Sequence, residues 1–180
     1  PAFITDSEDI KQIDFSTIHN VLGPKVIYRE YDSNGGELFQ ILVGAGKYIQ
    51  VIGPYGWARS FSFDFIEPGR PINVSVKIKK TVDIFDGPTN NRTSFQASVN
   101  GLDDDGAPGY TDYTILSFYE SNFSVGSSAM IGGQDNAMTG DNNFKIWNFK
   151  RYINGILQNS LPLNGNIIDT TGNSTPTATD

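Results

Sequence analysis

The sequence predicts an all-β fold, a sandwich or barrel of antiparallel sheets. Apolar and polar residues alternate with a period of two over many short runs. Turn residues, Asn-Gly pairs and prolines above all, separate those runs at close spacing. Aromatics reach 12% while charged residues hold at 18%, the opposite of a disordered chain and unlike the charge-rich composition of a coiled coil. With 180 residues the chain has the length of one ordinary domain, or at most two very small ones, and a chain this size buries roughly 70% of its unfolded surface. No internal repeat is visible, which sets aside propellers and solenoids.

The first segment offers two readings. Thr5 to Glu8 has the spacing of a capping box, and Ile10, Ile13, Ile18, Val21 and Leu22 then fall near one helical face, stopped by Gly23-Pro24. The competing reading pairs Ile13, Phe15 and Thr17 on one side of a strand. The short helix is the first expectation and the strand its competitor.

From Lys25 onward the elements are strands. Lys25–Tyr31, Leu38–Val43 and Tyr48–Ile52 come first. Arg59–Ile66 places Phe61, Phe63 and Phe65 on one face. Ile72–Lys80 turns Ile72, Val74, Val76 and Ile78 inward and Asn73, Ser75, Lys77 and Lys79 outward. Val82–Phe85, Ser94–Val99, Tyr113–Tyr119, Ala129–Ile131 and Phe144–Tyr152 complete the set. Asn34-Gly35, Asn100-Gly101, Asn154-Gly155 and Asn164-Gly165 suit turns with positive φ. The tail from Thr170 has no apolar period and reads as a surface strap or linker. The organisation expected is an arm over 1–23, a sandwich over 24–169 and a tail over 170–180.

Charge and composition exclude several roles. Thirteen basic against 20 acidic residues give a net charge of −7, poorly suited to nucleic acid or to anionic membrane surfaces. The absence of cysteine removes disulfides, thiolate catalysis and Cys-ligated metals. No apolar run approaches the ~20 residues of a helical membrane span.

The C-terminal third carries a resemblance. An Ile131-Gly-Gly strand end is followed by a polar loop and then by FKIWNFKRYINGILQNSLP, from Phe144 to Pro162. This resembles the closing strands of laminin-G-like, concanavalin-A-like jelly rolls, in which a strand runs through an Asn-Gly turn into a partner closed by Leu-Pro. The Phe95 to Gly101 stretch, ending Val-Asn-Gly, is similar to another strand of that family. The resemblance covers about the C-terminal two thirds of the chain and leaves residues 1–25 outside it. It implies a two-sheet antiparallel jelly-roll sandwich. The Lys-Ile-aromatic-x-Phe-Lys version resembles domains of phage tail and other virion proteins.

Candidate sites follow from chemistry and from that resemblance. Enzymes of this fold place carboxylates in Glu-x-Asp-x-x-Glu, or a His in Gln-Ile-His, and neither pattern occurs; the one histidine is His19. No catalytic residue is therefore expected. The oxygen-rich loops at Asp103-Asp104-Asp105-Gly106, Asp135 and Asp141 are candidate calcium ligands, with Asp103, Asp105, Asp135 and Asp141 as donors. The resemblance adds that such rims hold calcium in related folds; the plain alternative is solvated acidic turns. A sugar platform needs an exposed ring beside planar polar groups, and Tyr55, Trp57, Tyr110 and Asp112 lie in Gly- and Pro-rich loops able to present them. Trp147 and the face of Lys77, Lys79 and Lys80 read more simply as core and as a solvated strand face.

Two functions are expected from different classes. The first is a non-catalytic structural or adhesion protein on a virion surface, contacting other virion proteins or copies of itself, with weak multivalent contact to cell-surface polysaccharide. Ile10, Ile13, Ile18, Val21 and Leu22 would be its attachment stripe, unless they pack on their own sandwich. The second is an extracellular carbohydrate-binding module of a secreted bacterial protein.

Overall fold

The computed structural model describes residues 10–18, 24–32, 34–44, 46–53, 58–82, 91–117, 128–132, 145–163 and 170–172, without side chains at 80–82, 91–92 and 116–117. Eleven strands lie in these segments: β1 (Ile10–Ile18), β2 (Lys25–Tyr31), β3 (Glu37–Gly44), β4 (Tyr48–Ile52), β5 (Ala58–Ser62), β6 (Pro71–Val82), β7 (Asn91–Val99), β8 (Thr114–Ser117), β9 (Ser128–Ile131), β10 (Ile146–Ile153) and β11 (Ile156–Leu161). They form a six-stranded sheet in the order β11-β10-β1-β6-β7-β8 and a five-stranded sheet in the order β5-β4-β3-β2-β9. Every neighbouring pair is antiparallel. The expected all-β sandwich is what forms, and no helix occurs among the described residues. The expected strand at Val82–Phe85 and the turn at Asn164-Gly165 fall largely outside them.

Alternation builds the core. Ile72, Val74, Val76 and Ile78 of β6 are all buried, and Phe95, Ala97 and Val99 of β7 continue the same inner face. Phe39, Ile41 and Val43 of β3 and Ile49 and Val51 of β4 oppose them from the other sheet. Rings bridge the two layers: Phe61 meets Phe95 edge-on at 5.3 Å, and Tyr28 stacks on Phe149 at 5.5 Å. Arg59–Ile66 departs from the expected single strand. The strand ends at Ser62, and a tight turn returns the Ile66 amide to the Phe63 carbonyl. That turn buries Phe63 and Ile66 and leaves Phe65 partly exposed.

The helical reading of the first segment is corrected over Ile10–Ile18. These residues form β1, an internal strand between β10 and β6. Period two wins because it turns Ile13 and Phe15 into the core while Gln12 and Asp14 face out, and because it pairs two strand edges that a helix would leave open. Ile13 is fully buried, so it serves the sandwich rather than an external partner. Ile10 and Ile18 are half-buried at the strand ends; Val21 and Leu22 lie outside the described residues.

A charged cluster joins the sheets inside this core. Glu30 of β2 accepts hydrogen bonds from Lys11 of β1 at 2.5 Å, from Arg151 of β10 at 3.2 Å and from the Tyr28 hydroxyl at 2.7 Å. Lys11 and Glu30 are almost wholly buried. Burial alone would raise the Glu30 carboxyl, but the Lys11 and Arg151 charges and the hydrogen bonds of Lys11 and Tyr28 outweigh it and hold it below the ordinary glutamate value. Burial, and then the same carboxylate, push the Tyr28 hydroxyl well above its ordinary value.

The Asn-Gly turns act twice over. Asn154 (φ 50°) and Gly155 (φ 77°) join β10 to β11, with Ile153 opposite Ile156 and Tyr152 opposite Leu157. The Asn154 amide donates to the Ile10 carbonyl at 2.8 Å, and its side-chain Oδ1 accepts from the Ile10 amide at 2.8 Å. Asn100 repeats the device on Asn73, at 2.7 and 2.9 Å. Each asparagine therefore supplies the left-handed turn and extends the sheet by one mimicked pair. A Cβ at Gly155 would touch nothing within 4 Å, so a substitution there costs backbone strain alone. Gly155→Val should destabilise by roughly 1–2 kcal/mol, read as a lower thermal midpoint; an unchanged midpoint would contradict the turn. Asn148 (φ 54°) marks the bulge at which β10 passes Phe15 of β1.

Candidate functional site

The outer face of the six-stranded sheet is a polar surface assembled by register. Lys150, Asp14, Ser75 and Ser98 form one row across β10, β1, β6 and β7. Tyr152, Gln12, Lys77 and Gln96 form the next. Their sequence neighbours Ile13, Val74, Val76 and Ala97 face the core, so alternation sends these rows outward. Ser98 is buried, its Oγ donating to the Leu102 carbonyl at 3.2 Å; with strands ~4.8 Å apart and same-face residues ~6.8 Å apart, the rest of the two rows presents donors and acceptors over the footprint of a few sugar rings.

The β7–β8 connection lies on this face. Its Asn100-Gly101 turn folds back so that Val99 and Leu102 pair, and a second small turn spans Asp103 to Ala107. The Gly109 amide bonds the Gly101 carbonyl, and the Thr111 amide bonds the Ala97 carbonyl, both at 2.9 Å. Between them Tyr110 reaches over the sheet, its hydroxyl 2.8 Å from Ser75 Oγ. Ser75 Oγ gives its one proton to Asp14 Oδ1 at 2.5 Å, so Tyr110 is the donor to Ser75. Gln12 Nε2 donates to both Asp14 oxygens, at 3.0 and 3.1 Å. Lys77 Nζ stands 3.9 Å from the Tyr110 ring centre, and Lys79 Nζ stands 4.3 Å from that of Tyr113. Register sets Tyr152 opposite Gln12, and burial, then Asp14 and Tyr110, raise its hydroxyl above the ordinary tyrosine value. The result is a chain of oriented polar side chains, Tyr110 to Ser75 to Asp14, flanked by Gln12, Lys77 and Tyr152.

Of the residues expected to bind sugar, Tyr110 sits in this arrangement and Asp112 is exposed next to it. Tyr55 and Trp57 lie outside the described residues, as does His19. Gln12, Asp14, Ser75 and Tyr152 were not singled out by sequence. Each looks like an ordinary solvent-side residue of its own strand, and only the registers bring them together. Trp147, expected in the core, is half-buried.

In the acidic loop Asp103 caps its own turn. Asp103 Oδ1 accepts the Asp105 and Ala107 amides at 3.1 and 2.7 Å. Asp32 does the same for Asn34 and Gly36, at 2.8 and 2.7 Å, in a turn that holds no second acidic residue between Asp32 and Gly36. The shared geometry makes Asp103 a turn-capping residue, and Asp105 is exposed. No group of three or more His, Asp or Glu side chains poised for a metal occurs among the described residues; Asp135 and Asp141 lie outside them.

No protein-family model matches the chain, and no curated protein matches it in sequence. Solved structures similar to this chain include two of low sequence identity. One is the mouse laminin α1 chain, domains LG4-5, at 12% identity and a TM-score of 0.47, covering 85% of this chain. The chain spans 37% of that laminin's length. The other is a tetrameric galectin from the ball sponge Cinachyrella sp., at 14% identity and a TM-score of 0.34, covering 70% of this chain and 92% of the galectin.

Proposed function

We propose that this protein is a non-catalytic binding module that holds a glycan on the outer face of its six-stranded sheet. The observation that carries the reading is the hydrogen-bonded chain of Gln12, Asp14, Ser75 and Tyr110, with Tyr152 in register opposite Gln12, on an otherwise regular sheet face. A sugar hydroxyl both donates and accepts, and this group offers both kinds of partner. A flat face encloses little of a ligand, so affinity per copy is modest, and linked copies supply avidity of ~10²–10⁴. Display on a virion surface, next to other virion proteins or further copies of this chain, provides such linkage. That setting rests on the likeness of FKIWNFKRYINGILQNSLP to phage virion domains. Asp14 is engaged by Ser75 and Gln12, which suits a ligand contact better than acid–base work.

The test is a panel of immobilised bacterial polysaccharides probed with bead-displayed protein. Wild type should bind at least one member, and Asp14→Ala should lose roughly 10-fold or more, the loss of one to two hydrogen bonds to a charged group. Unchanged binding in Asp14→Ala with an unchanged melting curve would move the site elsewhere. Mass spectrometry of purified particles tests the virion setting; absence of the chain from them would favour the secreted carbohydrate-binding module.

A further inference from the structure

We infer that Tyr110 is a gate on this surface: its phenol occupies the hydroxyl position at Ser75 and Asp14 and leaves by side-chain rotation alone to admit a neutral sugar hydroxyl. The inference rests on the glycan reading and names how that site is opened and what it selects. The residues on both sides of Tyr110 are pinned by backbone bonds, Gly109 to Gly101 and Thr111 to Ala97, and Thr111 Oγ1 also accepts the Ala97 amide at 3.1 Å. The connection is therefore held on β7 without help from the phenol. That removes the simplest structural reason for the Tyr110–Ser75 bond. Opening needs no movement of the backbone, only a turn about the side-chain torsions.

What holds the gate shut is weak: one neutral hydrogen bond to Ser75 and the Lys77 ammonium against the ring. Both remain available to a ligand once the ring has moved. The chemistry of the vacated position also selects. Tyr110 enters it as a donor, and Ser75 passes its own proton to the Asp14 carboxylate. An incoming group must therefore donate, which a sugar hydroxyl does and a uronate carboxylate or sulfate does not.

Tyr110→Phe keeps the ring and removes the competing donor. It should tighten binding to the neutral glycans of the panel by roughly 2–10-fold, the worth of one neutral hydrogen bond. Equal or weaker binding in Tyr110→Phe, while Asp14→Ala still weakens it, overturns the gate and leaves the glycan reading standing. A ligand-free arm uses 3-fluorotyrosine protein, with the Tyr110 fluorine signal assigned by its loss in Tyr110→Phe. Ser75→Ala should shift that signal toward a second, more mobile environment. A single immobile signal, identical in wild type and Ser75→Ala, overturns the gate even where no polysaccharide binds at all.

Discussion

A chain lacking residues 1–22 should not fold. β1 is paired on both sides, to β10 and to β6, and its removal opens both edges at the middle of the six-stranded sheet. It takes with it Ile13 and Phe15, each 2% exposed or less, whose burial is worth about 2–3 kcal/mol apiece. It also strands Glu30 by removing Lys11, a further loss of about 3–5 kcal/mol for a broken buried pair. Together these approach the whole stability of a typical domain, about 5–15 kcal/mol. The expected result is loss of the cooperative thermal transition. A truncated chain that melts cooperatively near the wild-type midpoint would return the segment to the role of a detachable arm. Ile13, fully buried, is not available to an attachment surface in the folded protein.

Glu30→Ala should be the most damaging single substitution, at about 3–5 kcal/mol, because it leaves Lys11 and Arg151 buried or half-buried without their counter-charge. The cost lies in the orphaned cations rather than in the lost pair. Replacing all three, as Lys11→Met, Glu30→Leu and Arg151→Met together, should therefore recover most of the stability. The pH dependence has a definite sign. Glu30 is held below its ordinary value in the fold, so the cluster's contribution is fully present above the unfolded glutamate pKa of about 4.3 and is lost as pH falls through the depressed folded value. The stability difference between wild type and Glu30→Gln should be flat from neutral pH down to that range and shrink below it. A difference that grows on acidification would contradict the assignment. Urea melts across pH read this directly.

Much of the sandwich was legible because one face of each strand is apolar. Ile72, Val74, Val76 and Ile78 could belong only to a half-buried strand, and Asn154-Gly155 only to a tight turn. β1 was harder, since Ile10, Ile13 and Ile18 satisfy a helical spacing while Ile13, Phe15 and Thr17 satisfy an extended one. The choice depends on two strand edges more than 50 residues away, which local periodicity does not report. Lys11 and Glu30 are opaque for the same reason: a charged residue is expected outside, and only a partner from the opposite sheet lets it in. Phe65 leaves the face of Phe61 and Phe63 because the chain turns after Ser62, with no proline or Asn-Gly inside Phe61–Phe65 to announce it.

The binding surface shows the same limit. Tyr110 was visible as a ring in a Gly- and Pro-rich loop. Asp14, Ser75 and Tyr152 were not visible as partners, because their meeting depends on the registers of β10 to β1 and of β1 to β6. Lys77 and Lys79 looked like a solvated strand face, and they are outward, but each lies against a tyrosine ring from the β7–β8 connection.

The central claim is that the outer face of the six-stranded sheet carries the ligand. The direct measurement is a titration of isotope-labelled protein with the best-binding polysaccharide fragment of the panel, followed by amide chemical shifts. Saturable shifts should cluster at Gln12, Asp14, Ser75, Lys77, Tyr110 and Tyr152. Shifts confined to the five-stranded sheet or to the loops at its ends, with those six residues unmoved, would contradict it.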